Sequence, residues 1–162
     1  MDRSARVRIL VLGIVTVAAV IGAFVALGVL IDAALGLPRI LSPLQMVSVI
    51  LIPLGILLEG WGARTLWVVG GGTPHPRGAP NQLVTSGPYR FSRNPLYLAR
   101  IMILGGASFL LGSTGTLALT IGLFLAVNFV LLPREERRLR QRFELAYARY
   151  CASVPRWIKV RQ

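Results

Sequence analysis

Between residues 101 and 133 the chain carries no charged side chain. No other feature restricts its fold so strongly. Roughly 20 apolar residues cross a bilayer core, so this run is long enough for two short crossings joined by a turn. Gly112-Ser113-Thr114-Gly115 supplies that turn, and the pattern predicts a helical hairpin with arms at 95–111 and 116–132. Residues 9–31 and 40–58 form two further charge-free runs, each long enough to span. The expected fold is therefore an all-α integral membrane protein. It has four transmembrane helices, at about 9–31, 40–60, 95–111 and 116–132, within a single domain over 1–162. A hydrophobic fraction of 54% and a mean hydropathy of +0.66 exclude an ordinary soluble domain. The net charge of +12 lies at the ends of apolar runs rather than on a soluble surface. That distribution sets membrane orientation and argues against a nucleic-acid binder.

Arg3, Arg6 and Arg8 precede the first run, which is too long for the core of a secretory signal and is read as a retained helix. Ala18, Gly22 and Ala26 form a small-residue stripe on which a neighbouring helix is expected to pack. Pro53 is expected to kink the second span, and Trp61 and Trp67 fall at interfacial positions. Glu59 is either a buried functional carboxylate or, as expected here, a local partner of Arg64 at the helix end. Arg100 has two placements, snorkelling to headgroups or facing a polar cavity. Arginines crowd the N-terminus, the second connection and the C-terminus, so both termini and the basic loop are expected on the cytoplasmic side.

The polar stretch that these spans frame is LVTSGPYRFSRNPLY, residues 83–97. Ser86-Gly87-Pro88 is turn chemistry, and Pro95 suits the first turn of a new helix. Arg90 and Arg93 alternate with Tyr89, Phe91 and Tyr97. Such a segment can hold a ligand with anionic and aromatic parts through guanidinium forks, hydroxyls and free amides. The plain alternative is a basic cytoplasmic loop. The preceding connection begins Gly70-Gly71-Gly72 but lacks the Lys-Ser/Thr of a phosphate loop. His75, the only histidine, is a candidate general base or a solvated loop residue, and no metal site is expected. Cys151, the only cysteine, is read as a reduced bystander.

The tail predicts a helix from about Arg134. Leu139, Phe143, Tyr147 and Tyr150 recur on one face, with Glu135 and Glu136 one turn earlier. An arginine-rich opposite face would suit anionic lipid, and a helix lying on the membrane surface is the simpler reading.

Three patches together resemble the isoprenylcysteine carboxyl methyltransferase family and, more loosely, its phospholipid N-methyltransferase relatives. They are Leu83-Val84-Thr85-Ser86-Gly87-Pro88-Tyr89 continuing through Arg93-Asn94-Pro95-Leu96-Tyr97, the Glu135-Glu136 pair with the aromatic stripe, and Val154-Pro155-Arg156-Trp157-Ile158. The resemblance covers about the C-terminal half. It implies an integral membrane enzyme that transfers a methyl group from S-adenosyl-L-methionine to a lipophilic acceptor, with S-adenosyl-L-homocysteine as product. It places Leu83, Gly87, Tyr89, Arg93, Asn94, Pro95, Tyr97, Glu135, Glu136, Tyr147 and Arg156 at the cofactor, with Arg93, Glu135 and Glu136 closest to the chemistry. Departures are Asn94 and Asn81 where many members have His, and Glu144 where Gly usually follows the tail phenylalanine. Transfer to a carboxylate is the favoured chemistry, with S- or N-methylation as alternatives. An arginine-heavy, lysine-poor composition points to a bacterial inner membrane. The rival functions are a reductase of similar fold using a nicotinamide cofactor, and a non-enzymatic scaffold binding anionic lipid.

Overall fold

The computed structural model describes residues 3–40, 42–70 and 82–158. These form six α-helices: α1 (Arg3–Leu35), α2 (Ser42–Gln45), α3 (Ser48–Val68), α4 (Pro95–Leu111), α5 (Thr114–Ala126) and α6 (Leu132–Ser153). A 3-10 turn at Gly87–Arg90 and a π-helical segment at Val127–Leu131 complete the elements, and the described residues contain no strand. Val11–Leu35, Pro43–Val68 and Thr114–Ser153 are long and apolar enough to cross a membrane, and α4 is a shorter apolar helix. At 1.5 Å per residue α4 reaches about 26 Å, a little under a typical hydrocarbon core. Most large apolar side chains on α1 and α3 are exposed, as a lipid-facing surface requires.

The first arm of the hairpin is as the sequence predicts, α4 running from Pro95 to the turn at Gly112, while the second arm, expected at 116–132, is α5 from Thr114 to Ala126 followed by the π-helical segment. Ser113 caps α5, its hydroxyl accepting from the Thr116 amide at 3.0 Å. Asp32 at the end of α1 reaches the same helix start and accepts from the Gly115 amide at 2.6 Å. A carboxylate there also suits the helix dipole. The packing of α1 differs from expectation. Ala18, Gly22 and Ala26 are exposed. Gly28, on another face, meets Thr116 and Gly115 so closely that neither glycine has room for a Cβ. The stripe that packs is thus the one facing a glycine on the partner helix.

Two further expectations are corrected. Helix α3 does not end at Glu59 but runs to Val68, passing unbroken through Pro53. Glu59 is tolerated inside the helix because it pairs with Arg100 of α4, Nη2 to Oε1 at 2.8 Å and Nε to Oε1 at 3.2 Å, rather than with Arg64. That pair also settles the placement of Arg100. The tail is helical as expected, α6 beginning at Leu132, two residues before the expected start. Helicity is continuous from Thr114 to Ser153, interrupted by the π-helical segment and by a kink at Glu144, where φ is 38° and ψ is −115°.

Candidate functional site

The site lies where the segment 83–97, the start of α6 and the residues after α6 converge. Gly87 opens the 3-10 turn at φ +59°, a conformation available to glycine, and a Cβ there would stand 2.6 Å from Thr65 Oγ1. The turn therefore sits directly on α3. Its far side carries Tyr89, which packs with Val84, Tyr147, Tyr150 and Val154, while Leu83, Leu139 and Phe143 lean on the cluster. The aromatic stripe of the tail thus binds the central loop instead of lying on the membrane. The Tyr150 hydroxyl donates to the Tyr89 carbonyl at 2.6 Å. Burial raises the Tyr89 phenol above its ordinary pKa, so its hydroxyl stays protonated.

Glu136, only 8% exposed, is the centre of the polar part. Arg93 Nη1 lies 3.1 Å from Oε1, and Arg156 donates through Nε to Oε1 at 3.1 Å and through Nη2 to Oε2 at 2.9 Å. The hydrogen bonds to Glu136 raise the pKa of the Arg156 guanidinium, fixing its charge. Arg93 Nη1 also donates to Cys151 Sγ at 2.8 Å, so the cysteine is part of the cluster and not a bystander. Arg93 Nε is buried without a partner. Asn94 joins from the other side, its Nδ2 donating to the Arg156 carbonyl at 2.9 Å. The Arg93 amide donates to the Pro155 carbonyl at 3.1 Å. Pro95 begins α4 and is fully buried.

Glu135 points elsewhere. It accepts from the Tyr97 hydroxyl at 3.3 Å on an exposed edge. The two adjacent glutamates therefore serve different partners. Sequence reasoning brought Arg93 and Glu136 together correctly but had no means of separating the pair.

Asn128 and Ser92 were not foreseen. In the π-helical segment the Leu132 amide bonds to the Val127 carbonyl, one residue further back than in an α-helix. The Asn128 carbonyl would next look to residue 133, which is proline and has no N–H. Arg156 Nη1 fills that vacancy at 3.4 Å, and the Trp157 indole donates to Asn128 Oδ1 at 3.1 Å. The residues after α6 are thereby tied to the last span. Ser92 Oγ donates to the Arg156 carbonyl at 3.3 Å. The sequence signal was present: an amide in a charge-free run with a proline five residues on. His75, Asn81 and most of the glycine-led connection lie outside the described residues.

Two shallow concavities of about 190 and 280 Å³ share Trp61, and neither is lined by Arg93, Glu135, Glu136 or Arg156.

An apolar helical scaffold with a buried, net-positive cluster at one end defines an integral membrane protein with a polar cluster built from its loop, last helix and tail. A family model for phospholipid methyltransferases matches residues 44–146, which takes in α3, the loop, the hairpin and the glutamate pair. The chain belongs to that family, within the group that also holds the isoprenylcysteine carboxyl methyltransferases. No curated protein and no solved structure gave a significant match. The family carries membrane methyltransferases acting on lipid-type substrates.

Proposed function

We propose that this chain is a four-span methyltransferase using S-adenosyl-L-methionine, with its site on the cytoplasmic side of a bacterial inner membrane and a lipophilic acceptor. The observation that carries the reading is the Arg93–Glu136–Arg156 cluster, assembled from three distant segments in a chain of this family. The residues fit the cofactor. Two guanidiniums against one carboxylate leave one positive charge, which a cofactor carboxylate would balance. The unpartnered Arg93 Nε is a donor awaiting an acceptor. Glu135 has one long hydrogen bond and is free to take the cofactor ammonium. Tyr89, Tyr147 and Tyr150 are packed into the core, and the partly buried Leu83 at their margin would offer the apolar surface for the adenine.

When bound, the cofactor supplies an electrophilic methyl group. The chain has to hold it, exclude water and align the acceptor. Gly87 and Pro95 shape the walls, and Asn94 holds the 154–157 segment over the site. A carboxylate acceptor asks only for alignment, whereas a neutral amine or hydroxyl also needs a proton acceptor. Isothermal titration of the detergent-purified protein tests the reading. S-adenosylhomocysteine is expected to bind with micromolar or tighter affinity and a nicotinamide dinucleotide not at all. Binding of the nicotinamide alone, or of neither, overturns it.

A further inference from the structure

Leu54, Leu57, Leu58, Trp61, Arg64 and Thr65 follow one another at three- and four-residue spacing, so they share one face of α3. The two concavities lie along that face and meet at Trp61. The one nearer the end of α3 is bordered by Arg64, Thr65 and the turn residues Ser86 and Gly87. The other is walled by the three leucines and by Met102 of α4. Polar groups therefore stand at one end of the face and an apolar groove runs on from them. From Arg64 to Leu54 is ten residues, about 15 Å along the axis, which is about half the thickness of a bilayer core.

Trp61 joins the two parts. Its indole Nε1 lies at the turn, 3.3 Å from where a Cβ on Gly87 would stand, while the same residue borders the leucine groove. An indole with its N–H at a polar edge and its ring beside apolar chains is the usual interfacial arrangement. Arg64 is exposed, and a second exposed guanidinium is close by. Arg90 stands 5.3 Å from the Phe91 ring centroid, and that ring is 6.4 Å from the Trp61 ring. Among the described residues no carboxylate pairs with Arg64 or Arg90, the ion pairs being made by Arg93, Arg100 and Arg156. Two uncompensated cations thus stand at the head of an apolar groove.

We propose that this face of α3 binds one anionic phospholipid of the surrounding leaflet, its phosphate at Arg64 and the Trp61 indole and one acyl chain in the groove of Leu54, Leu57, Leu58 and Met102. Any lipid can cover the groove; the charge at its end selects among heads. An amine or trimethylammonium head carries a cation toward two guanidiniums, whereas a glycerol head carries none. The lipid is a resident ligand and not the methyl acceptor, since the cluster of Arg93, Glu136 and Arg156 lines neither concavity. The proposal therefore stands apart from the methyltransferase reading.

Native mass spectrometry of the detergent-purified full chain tests it, by counting lipid retained. The probes are glycerol-head and trimethylammonium-head phospholipids of one acyl composition, with glycerol phosphate as a chain-free competitor. One equivalent of the glycerol-head lipid is expected to be held about tenfold more tightly than the trimethylammonium lipid. Arg64→Gln should weaken it about fivefold, the scale of one arginine beside an anionic lipid, and Arg64→Lys less than about twofold. Arg140→Gln, on the exposed side of α6, should leave it unchanged. Leu57→Trp, which fills the groove from an exposed position, should also weaken it about fivefold. Equal retention of the two heads overturns the proposal. So does an equal loss in Arg64→Gln and Arg140→Gln, which would mean diffuse charge alone. Displacement by glycerol phosphate at the lipid's own concentration would make this a free-phosphate site, and full retention in Leu57→Trp would remove the groove; either result overturns it too.

Discussion

Glu144 is the described non-glycine residue with positive φ, and replacing it with glycine should stabilise the end of α6. At φ 38° and ψ −115° a Cβ crowds its own backbone, a strain of about 1–3 kcal/mol for a residue with a side chain. The side chain is exposed, so its removal sacrifices no buried contact. Glycine would loosen the unfolded chain by about 0.5–1 kcal/mol. Its usual penalty within a helix does not apply, since the position is not helical. The difference leaves a net gain of about 1 kcal/mol. Hydrogen exchange reads it locally. Amides over 147–153 should exchange about fivefold more slowly in Glu144→Gly, because opening this segment then costs about 1 kcal/mol more. Glu144→Ala keeps the Cβ and should show no comparable slowing. Unchanged or faster exchange in Glu144→Gly, or an equal gain in Glu144→Ala, would refute the reasoning. The kink matters to the site because Tyr147 and Tyr150, the residues that grip the central loop, lie just beyond it.

Gly87→Ala should lower stability by about 1–3 kcal/mol, from positive φ and the collision with Thr65, and a lower melting temperature in detergent checks it. Glu135→Gln should weaken S-adenosylhomocysteine binding about tenfold with little change in melting temperature. Glu136→Gln should lower both, because it leaves Arg93 and Arg156 facing each other without a carboxylate. Equal behaviour of the two variants would contradict the division of labour. Asn128→Leu removes the acceptor of the Trp157 indole, about 0.5–1.5 kcal/mol. Limited proteolysis should then cut the 154–158 segment sooner while helix content stays the same.

Where punctuation is local, the sequence was legible. Pro95 and Gly112 bracket α4 because proline and glycine act on their own backbone, whereas the sequence expectation starts α5 at 116 and takes Ser113, the cap that begins the helix at Thr114, only as part of the turn. The aromatic face of the tail was legible for a similar reason, since its spacing is helical even though its partner was not evident. Glu59 was assigned to the nearby Arg64 because a sequence displays neighbours, and Arg100 comes close only when α3 and α4 pack. The small-residue stripe on α1 failed for the same cause: which face packs depends on Gly115 of another helix. The resemblance to known methyltransferases singled out Arg93, Glu136 and Arg156, whose side chains meet in the structure. It could not reveal that the π-helical segment and Pro133 leave a carbonyl for Arg156 to satisfy. The departure at Glu144 was visible, and the structure shows that this residue occupies a glycine-like conformation.

The claim on which the account turns is that Arg93 belongs to a cofactor site closed by α6 and the residues after it. Titration of S-adenosylhomocysteine into Arg93→Ala and Arg64→Ala tests it most directly, since each removes one arginine and only the first belongs to the cluster. The account predicts at least a hundredfold loss of affinity for Arg93→Ala and less than a twofold change for Arg64→Ala. Equal affinity in the two variants, with both folded, would contradict it.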